Sequence, residues 1–311
     1  MELRVLGRTE LRVSALSLGT SPFGGVFGEV GFSDCKRCLD TALDAGINFL
    51  DCSPYYGDTQ AETMLGQTLR GVARERFVLA TKVGRYGPDF TDFDFSPARV
   101  KRSVDESLAR LGIETVDLIQ CHDIEFGDLN QIVEETLPAL REVVKSGKAR
   151  FVGVTGLPLK VFREVVSRAT IDTILSYCHY SLNDTSLENE VSFLEQSGVG
   201  IISASPLSMG LLTRRGSPDW HPAPGAIREK CREAALFCQA RGTSIEKLAI
   251  GFSLQNPRIA TTLVGTSKAE NIAQNVAWLD EPLDGELLGE VKAILAPIQN
   301  QSWSSGHAHN N

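Results

Sequence analysis

Asp51, Tyr56, Lys82 and His122 are residue types that together can move a proton and steady the charge it leaves behind. A tyrosine can exchange a proton with a substrate hydroxyl, but near neutral pH its phenol needs a neighbouring cation to favour the phenolate. Lys82 can supply that cation, Asp51 can fix the ammonium, and the imidazole of His122 can orient the substrate oxygen. The set suits removal of a hydride from an alcohol carbon, coupled to removal of the hydroxyl proton. Taken singly, each residue has an ordinary structural explanation: a helix cap, a solvated lysine, a structural histidine. Their shared placement points to chemistry. Asp51 ends the apolar run INFLD (47–51), which leads into CSPYYG and Tyr56; Lys82 ends FVLATK (77–82), and His122 ends VDLIQCH (116–122).

Those runs are short, apolar and rich in β-branched residues, as strands buried on both faces are. Further runs of the same kind lie at 15–19, 149–155, 172–176, 199–204 and 260–264, making eight, and polar residues at the carboxyl ends of eight barrel strands converge on one mouth. Helical patterns fill the gaps, so the chain reads as a (β/α)8 TIM barrel, one domain over 1–311. One helix starts at Ser96-Pro97, with Ser96 as cap, carries Val100, Val104, Leu108 and Leu111 on one face and stops at Gly112. The next is expected as a continuous helix over 128–145, before Gly147. LRVLG and ELRVS, around Arg8-Thr9, read as a hairpin plugging the amino-terminal end of the barrel. Segments 83–95 and 206–224 carry Gly, Pro, Asp and aromatics without helical period, as binding walls do.

Composition narrows the classes. The 311 residues are 42% hydrophobic and 23% charged, with a net charge of −8 and acids and bases interspersed, which argues against nucleic acid and anionic membrane surfaces. No apolar stretch approaches the roughly 18 residues of a membrane span, and the first residues lack the pattern of a secretory signal, so a cytoplasmic location is expected. Seven cysteines include one C-x-x-C, Cys35 and Cys38, on an expected helix. Without a second pair they read as buried thiols.

Gly19-Thr20, the D-x-x-x-x-Y-G of DCSPYYG (51–57), Lys82 and His122 at strand ends, LGIETVDLIQCHD (111–123), GKARFVGVT (147–155) and VGTSKAENIAQN (264–275) resemble the aldo-keto reductase superfamily along essentially the whole chain. The resemblance implies a nicotinamide dinucleotide, no metal, and an Asp-Tyr-Lys-His tetrad carried over to Asp51, Tyr56, Lys82 and His122, with Tyr56 as general base. ILSYCHYSLNDTSLE (174–188), VGIISASPLSMGLLT (199–213), PDWHPAP (218–224) and NQSW (300–303) are most similar to the plant-type L-galactose dehydrogenases of that superfamily. This closer likeness implies oxidation of the anomeric C1 hydroxyl of L-galactose to its lactone, with L-fucose or a related aldose as the alternative.

The resemblance also assigns cofactor contacts: Gly19, Thr20, Asp51, Thr155, Gly156, Tyr177, Ser205, Pro206, Leu207, Gly210, Gly265, Thr266, Ser267, Gln274 and Asn275. Three positions depart from the commoner pattern. Thr155-Gly156 replaces a Ser-Asn pair that holds the nicotinamide carboxamide, Tyr177 replaces a glutamine, and Ala204 stands where an aromatic stacks on the ring. Tyr177 either takes over part of the ring contact or fills the space left by Ala204. Ser267 stands where relatives that prefer NADP place an arginine, so NAD is expected ahead of NADP.

Substrate contacts are expected from Tyr56, His122, Asp123, Arg85, Tyr86 and Trp303. Trp220-His221 and Trp303 either shield the sugar or pack their loops, Trp278 reads as helix packing, and His307 and His309 as a frayed tail. The expected partner is a small sugar, with the chain acting as a monomer or small homo-oligomer. Two other readings stay open: a nicotinamide-binding regulatory subunit of the potassium-channel β type, disfavoured by the lack of an extended tail, and a barrel isomerase or aldolase with Lys82 as Schiff base.

Overall fold

The computed structural model describes residues 1–26 and 28–311. Two short strands, β1 (Leu3–Val5) and β2 (Arg12–Ser14), pair antiparallel with Leu3 opposite Ser14. Eight parallel strands follow: β3 (Leu16–Gly19), β4 (Phe49–Asp51), β5 (Val78–Val83), β6 (Val116–Cys121), β7 (Ala149–Gly156), β8 (Thr173–Tyr177), β9 (Gly200–Ala204) and β10 (Thr261–Gly265). They close into a barrel in which β10 pairs with both β9 and β3, Thr262 lying opposite Leu16. All eight coincide with the apolar runs, because a strand covered on one side by the barrel interior and on the other by helices has no face left for water.

The hairpin is a plug. Leu6, Leu11 and Val13 pack with Phe49, Ala80, Leu118, Leu175 and Ile202 to fill the amino-terminal end of the barrel. Arg4 fastens it from outside by donating to the carbonyls of Leu254, Asn256 and Ile259. Outside the strands, helix Pro97–Leu111 buries Val100, Val104, Leu108 and Leu111, and Gly112 ends it at φ +67°. A left-handed residue there costs glycine no steric strain.

Three expectations change. The Ser96 side chain makes no capping bond; its backbone N–H is instead held by Asp94. The expected helix over 128–145 is interrupted: Leu129–Gln131 is α-helical, Ile132–Thr136 is a π turn, and Leu137–Lys145 is α-helical again. Pro138 explains the interruption, since it cannot donate to the carbonyl one turn back and its ring crowds that group. The tail is not frayed. Ala308–Asn310 forms a 3-10 turn, and the buried Asn310 donates to the carbonyls of Glu125 and Gly127.

Candidate active site

The carboxyl ends of β4, β5 and β6 bring Asp51, Lys82 and His122 to the barrel mouth, all buried. Tyr56 arrives from the turn after β4. That turn lies against Ser21–Gly24 so tightly that a Cβ on Gly57, at φ +60°, would fall 2.0 Å from the Gly24 carbonyl oxygen. Glycine is therefore the residue that lets Tyr56 stand where it does.

The Lys82 ammonium bonds the Asp51 carboxylate, donates to the Cys52 carbonyl at 2.8 Å and lies 3.2 Å from the Tyr56 oxygen. Gln120 donates to the other Asp51 oxygen at 3.0 Å, and Thr20 anchors the Asp51 carbonyl at 2.8 Å. Burial works against the Lys82 charge, but Asp51 and then Tyr56 outweigh it and leave its pKa raised. The lysine thus stays an ammonium. Burial pushes the Tyr56 phenol up to about 12, with Lys82 pulling the other way. His122 is pushed down to about 3, chiefly by burial, so its imidazole is neutral at working pH.

Ser53 sets the tautomer. Its oxygen accepts from the Tyr55 N–H at 3.1 Å and lies 3.0 Å from His122 Nδ1. The assignment that uses the Ser53 proton has the hydroxyl donating to Nδ1, which leaves Nε2 carrying the imidazole proton. The ring stands edge-on to Tyr56, with centroids 5.7 Å apart. A phenol beside a cation and a neutral N–H donor thus flank one small volume.

That volume opens into a cavity of about 1240 Å³. Of the residues the sequence assigned to catalysis, cofactor or substrate, Gly19, Asp51, Tyr56, Lys82, Arg85, His122, Asp123, Thr155, Tyr177, Ser205, Pro206, Leu207, Gly210, Gly265, Thr266, Ser267 and Trp303 line it. Five do not. Thr20 and Gly156 are buried in the wall behind it, and Asn275 is buried in helix Ala269–Leu279. Gln274 is exposed on that helix, away from the lining. Tyr86 is turned aside: its hydroxyl accepts from the Gly84 N–H and its ring lies under Arg99.

Arg85 stacks on Tyr55 at 3.7 Å and pairs with Asp123 at 2.5 Å. Asp123 holds a left-handed backbone at φ +51°, with its N–H on the Thr155 hydroxyl. Strain of this kind in a non-glycine residue clusters at functional sites. Trp220 lines the cavity while exposed, whereas His221 is buried edge-on to Trp303 and bonds the Ser208 carbonyl. Trp278 is half-buried on its helix. Cys35 and Cys38 are both buried and free, their thiols pushed up by burial to about 11 and about 12.

Sequence reading overlooked Gln120, Ser53, Tyr55, Asn271 and Arg215. Gln120 had a signal, a polar residue two before His122 and therefore on the same face of β6. Asn271 lines the cavity one helical turn before the buried Asn275. Arg215 lines it from the segment after β9 and makes no ion pair among the described residues.

An eight-stranded parallel barrel with this tetrad at its mouth defines a class. The aldo/keto reductase family model matches residues 15–296, and the chain belongs to that family. It is 49% identical to the L-galactose dehydrogenase of Arabidopsis thaliana, over 98% of both chains. It is 30% identical to the pyridoxal 4-dehydrogenase of Microbacterium luteolum, covering 92% of this chain and 95% of that one. Among solved structures it is similar to an aldo-keto reductase from Bacillus halodurans in its holo form, with a TM-score of 0.80, 26% identity and full coverage of both chains. Among the described residues, no helix is long and apolar enough to cross a membrane.

Proposed function

We propose that this chain is an NAD-dependent sugar 1-dehydrogenase that oxidises the C1 hydroxyl of L-galactose to the lactone. The observation that carries this reading is the Lys82 ammonium, fixed by Asp51, 3.2 Å from the Tyr56 oxygen on the cavity wall. Tyr56 takes the C1 hydroxyl proton, Lys82 stabilises the phenolate from which it acts, and His122 donates from Nε2 to the same substrate oxygen. Gln120 keeps Asp51 oriented toward the lysine. The Arg85–Asp123 pair, Tyr55 and Trp303 offer the sugar ring polar and apolar contacts.

The cavity suits a dinucleotide as well as a sugar. Pockets for one small ligand occupy roughly 300–1,000 Å³, and this one exceeds that range. Thr155, Tyr177 and Ala204 line the cavity from β7, β8 and β9, while Gly265, Thr266, Ser267, Lys268 and Asn271 lie along β10 and the start of the next helix. A bound nicotinamide supplies the acceptor for the hydride leaving C1. Ser267 brings no guanidinium for a 2′-phosphate, which favours NAD over NADP.

L-Fucose, lacking the C6 hydroxyl, is expected to be accepted too. No side chain is assigned to the C6 hydroxyl, so discrimination should stay within roughly 10–200-fold, as for a small group difference. The reading places the enzyme in the cytoplasm, as one barrel domain acting alone or as a small homo-oligomer.

The test is steady-state formation of reduced cofactor from L-galactose, L-fucose, D-arabinose and L-gulose, each with NAD and with NADP. Turnover of L-galactose with NAD is expected. No reduced cofactor from L-galactose or L-fucose would overturn the reading, and activity on L-fucose alone would keep the reaction and replace the substrate.

A further inference from the structure

Glu125 is a buried carboxyl that the proposed chemistry does not use, three residues past His122 in the turn Ile124–Phe126. One of its oxygens accepts from the Leu157 N–H at 3.1 Å and from the Ser305 hydroxyl at 2.8 Å. Its carbonyl accepts from the His307 N–H at 3.0 Å and from the Asn310 side chain at 2.9 Å. Four bonds therefore converge on one residue, three of them from the segment 305–310. Ser305 and Gly306 of that segment, with Ser304 and Trp303 just before it, line the cavity along with Tyr177.

Gly156 explains how the carboxyl fits. A Cβ at that position would lie 2.7 Å from Glu125 Oε2. The missing side chain at 156 leaves the seat that Glu125 occupies. Burial, then the nearby Asp123, push the Glu125 carboxyl up to about 8, so it rests there neutral and needs no cation.

We propose that Glu125 is a positioning residue that sets the affinity for the sugar by latching residues 303–306 in place as one wall of the cavity. The affinity part rests on the sugar-dehydrogenase reading above; the latch itself does not.

Two substitutions cut the carboxyl's hold on Ser305 from opposite sides while leaving the carbonyl's bonds to His307 and Asn310: Glu125→Ala removes the carboxyl, and Gly156→Ala puts a methyl group in its seat. Glu125→Gln keeps an acceptor for Leu157 and Ser305 and serves as the conservative rescue. Hydrogen exchange over 303–306, measured on the full chain without sugar, should quicken about tenfold or more in both alanine variants and stay near wild type in Glu125→Gln. The KM for L-galactose should rise about tenfold, while the KM for NAD stays within about twofold. Should Glu125→Ala fail to fold, Ser305→Ala cuts the same link from the strap. Unchanged exchange over 303–306 overturns the proposal, and so does a loss that falls on NAD affinity instead of sugar affinity. If no sugar is oxidised at all, the function proposed above falls, while quickened exchange still upholds the latch and unchanged exchange still overturns it.

Discussion

Lys82 faces Tyr56 twice over: its nitrogen lies 3.2 Å from the phenol oxygen and 4.8 Å from the centre of the same ring. The cation can stabilise charge on the oxygen without leaving the ring face, because Asp51 and the Cys52 carbonyl hold it from the other side.

Tyr56→Phe keeps the ring under the ammonium and removes the hydroxyl that exchanges the proton. It should retain cofactor binding, read by quenching of tryptophan fluorescence, and lose roughly 10²–10⁴-fold in kcat. Near-normal turnover would remove Tyr56 from the chemistry.

Lys82→Met removes the charge that holds the phenol's pKa down against burial. The acting form is the phenolate, so oxidation should quicken as pH rises from neutral in the wild type. In the variant, the residual rate should begin its rise at higher pH. A residual activity with an unmoved pH profile would show that Lys82 does not tune Tyr56.

His122 links stability to acid. Its folded pKa of about 3 lies below the usual 6.5 of a solvated imidazole, so between those values the unfolded chain binds the extra proton. The stability it contributes is present above pH 6.5 and is lost as pH falls toward 3, at on the order of 1 kcal/mol per pH unit. His122→Gln should therefore show a shallower fall in Tm between pH 6.5 and 4 than the wild type. Parallel curves would contradict a neutral buried imidazole.

Ser267→Arg should raise kcat/KM for NADP relative to NAD, because a guanidinium makes charge-assisted bonds to a 2′-phosphate. A wild-type enzyme that already prefers NADP would undo the argument at its start.

Gly57→Ala tests the turn that delivers Tyr56. A methyl group 2.0 Å from the Gly24 oxygen, at a backbone angle that disfavours it, has to move the turn. Lower Tm together with a fall in kcat is expected; an unchanged kcat would mean the tetrad tolerates that displacement.

The barrel strands were legible because burial on both faces writes a continuous apolar run, and the strand-end positions of Lys82 and His122 follow from those runs. Loop residues carry no such record. Tyr86 sits one residue past Arg85, yet one faces the cavity and the other packs under Arg99. On helix Ala269–Leu279, a one-position step separates exposed Gln274 from buried Asn275, while Asn271 is the residue at the cavity. The tail GHAHNN is too polar to announce burial, and what docks it is hydrogen bonding to a distant carbonyl. Pro138 did carry a readable warning, a proline inside a helical pattern.

The pairing of β3 with β10 also dictates an order of assembly. As the chain emerges from the ribosome, β3 (16–19) can meet β4 early, but its other neighbour lies at 261–265 and arrives after most of the chain has been made. One strand edge therefore stays open through most of synthesis, and open edges invite pairing with the wrong chain. Arg4 is in the same position, since the carbonyls of Leu254, Asn256 and Ile259 that receive it are made just before β10. Arg4 and β3 thus wait for the last strand of the barrel, β10, and the residues just before it, which makes closure a late and long-range event.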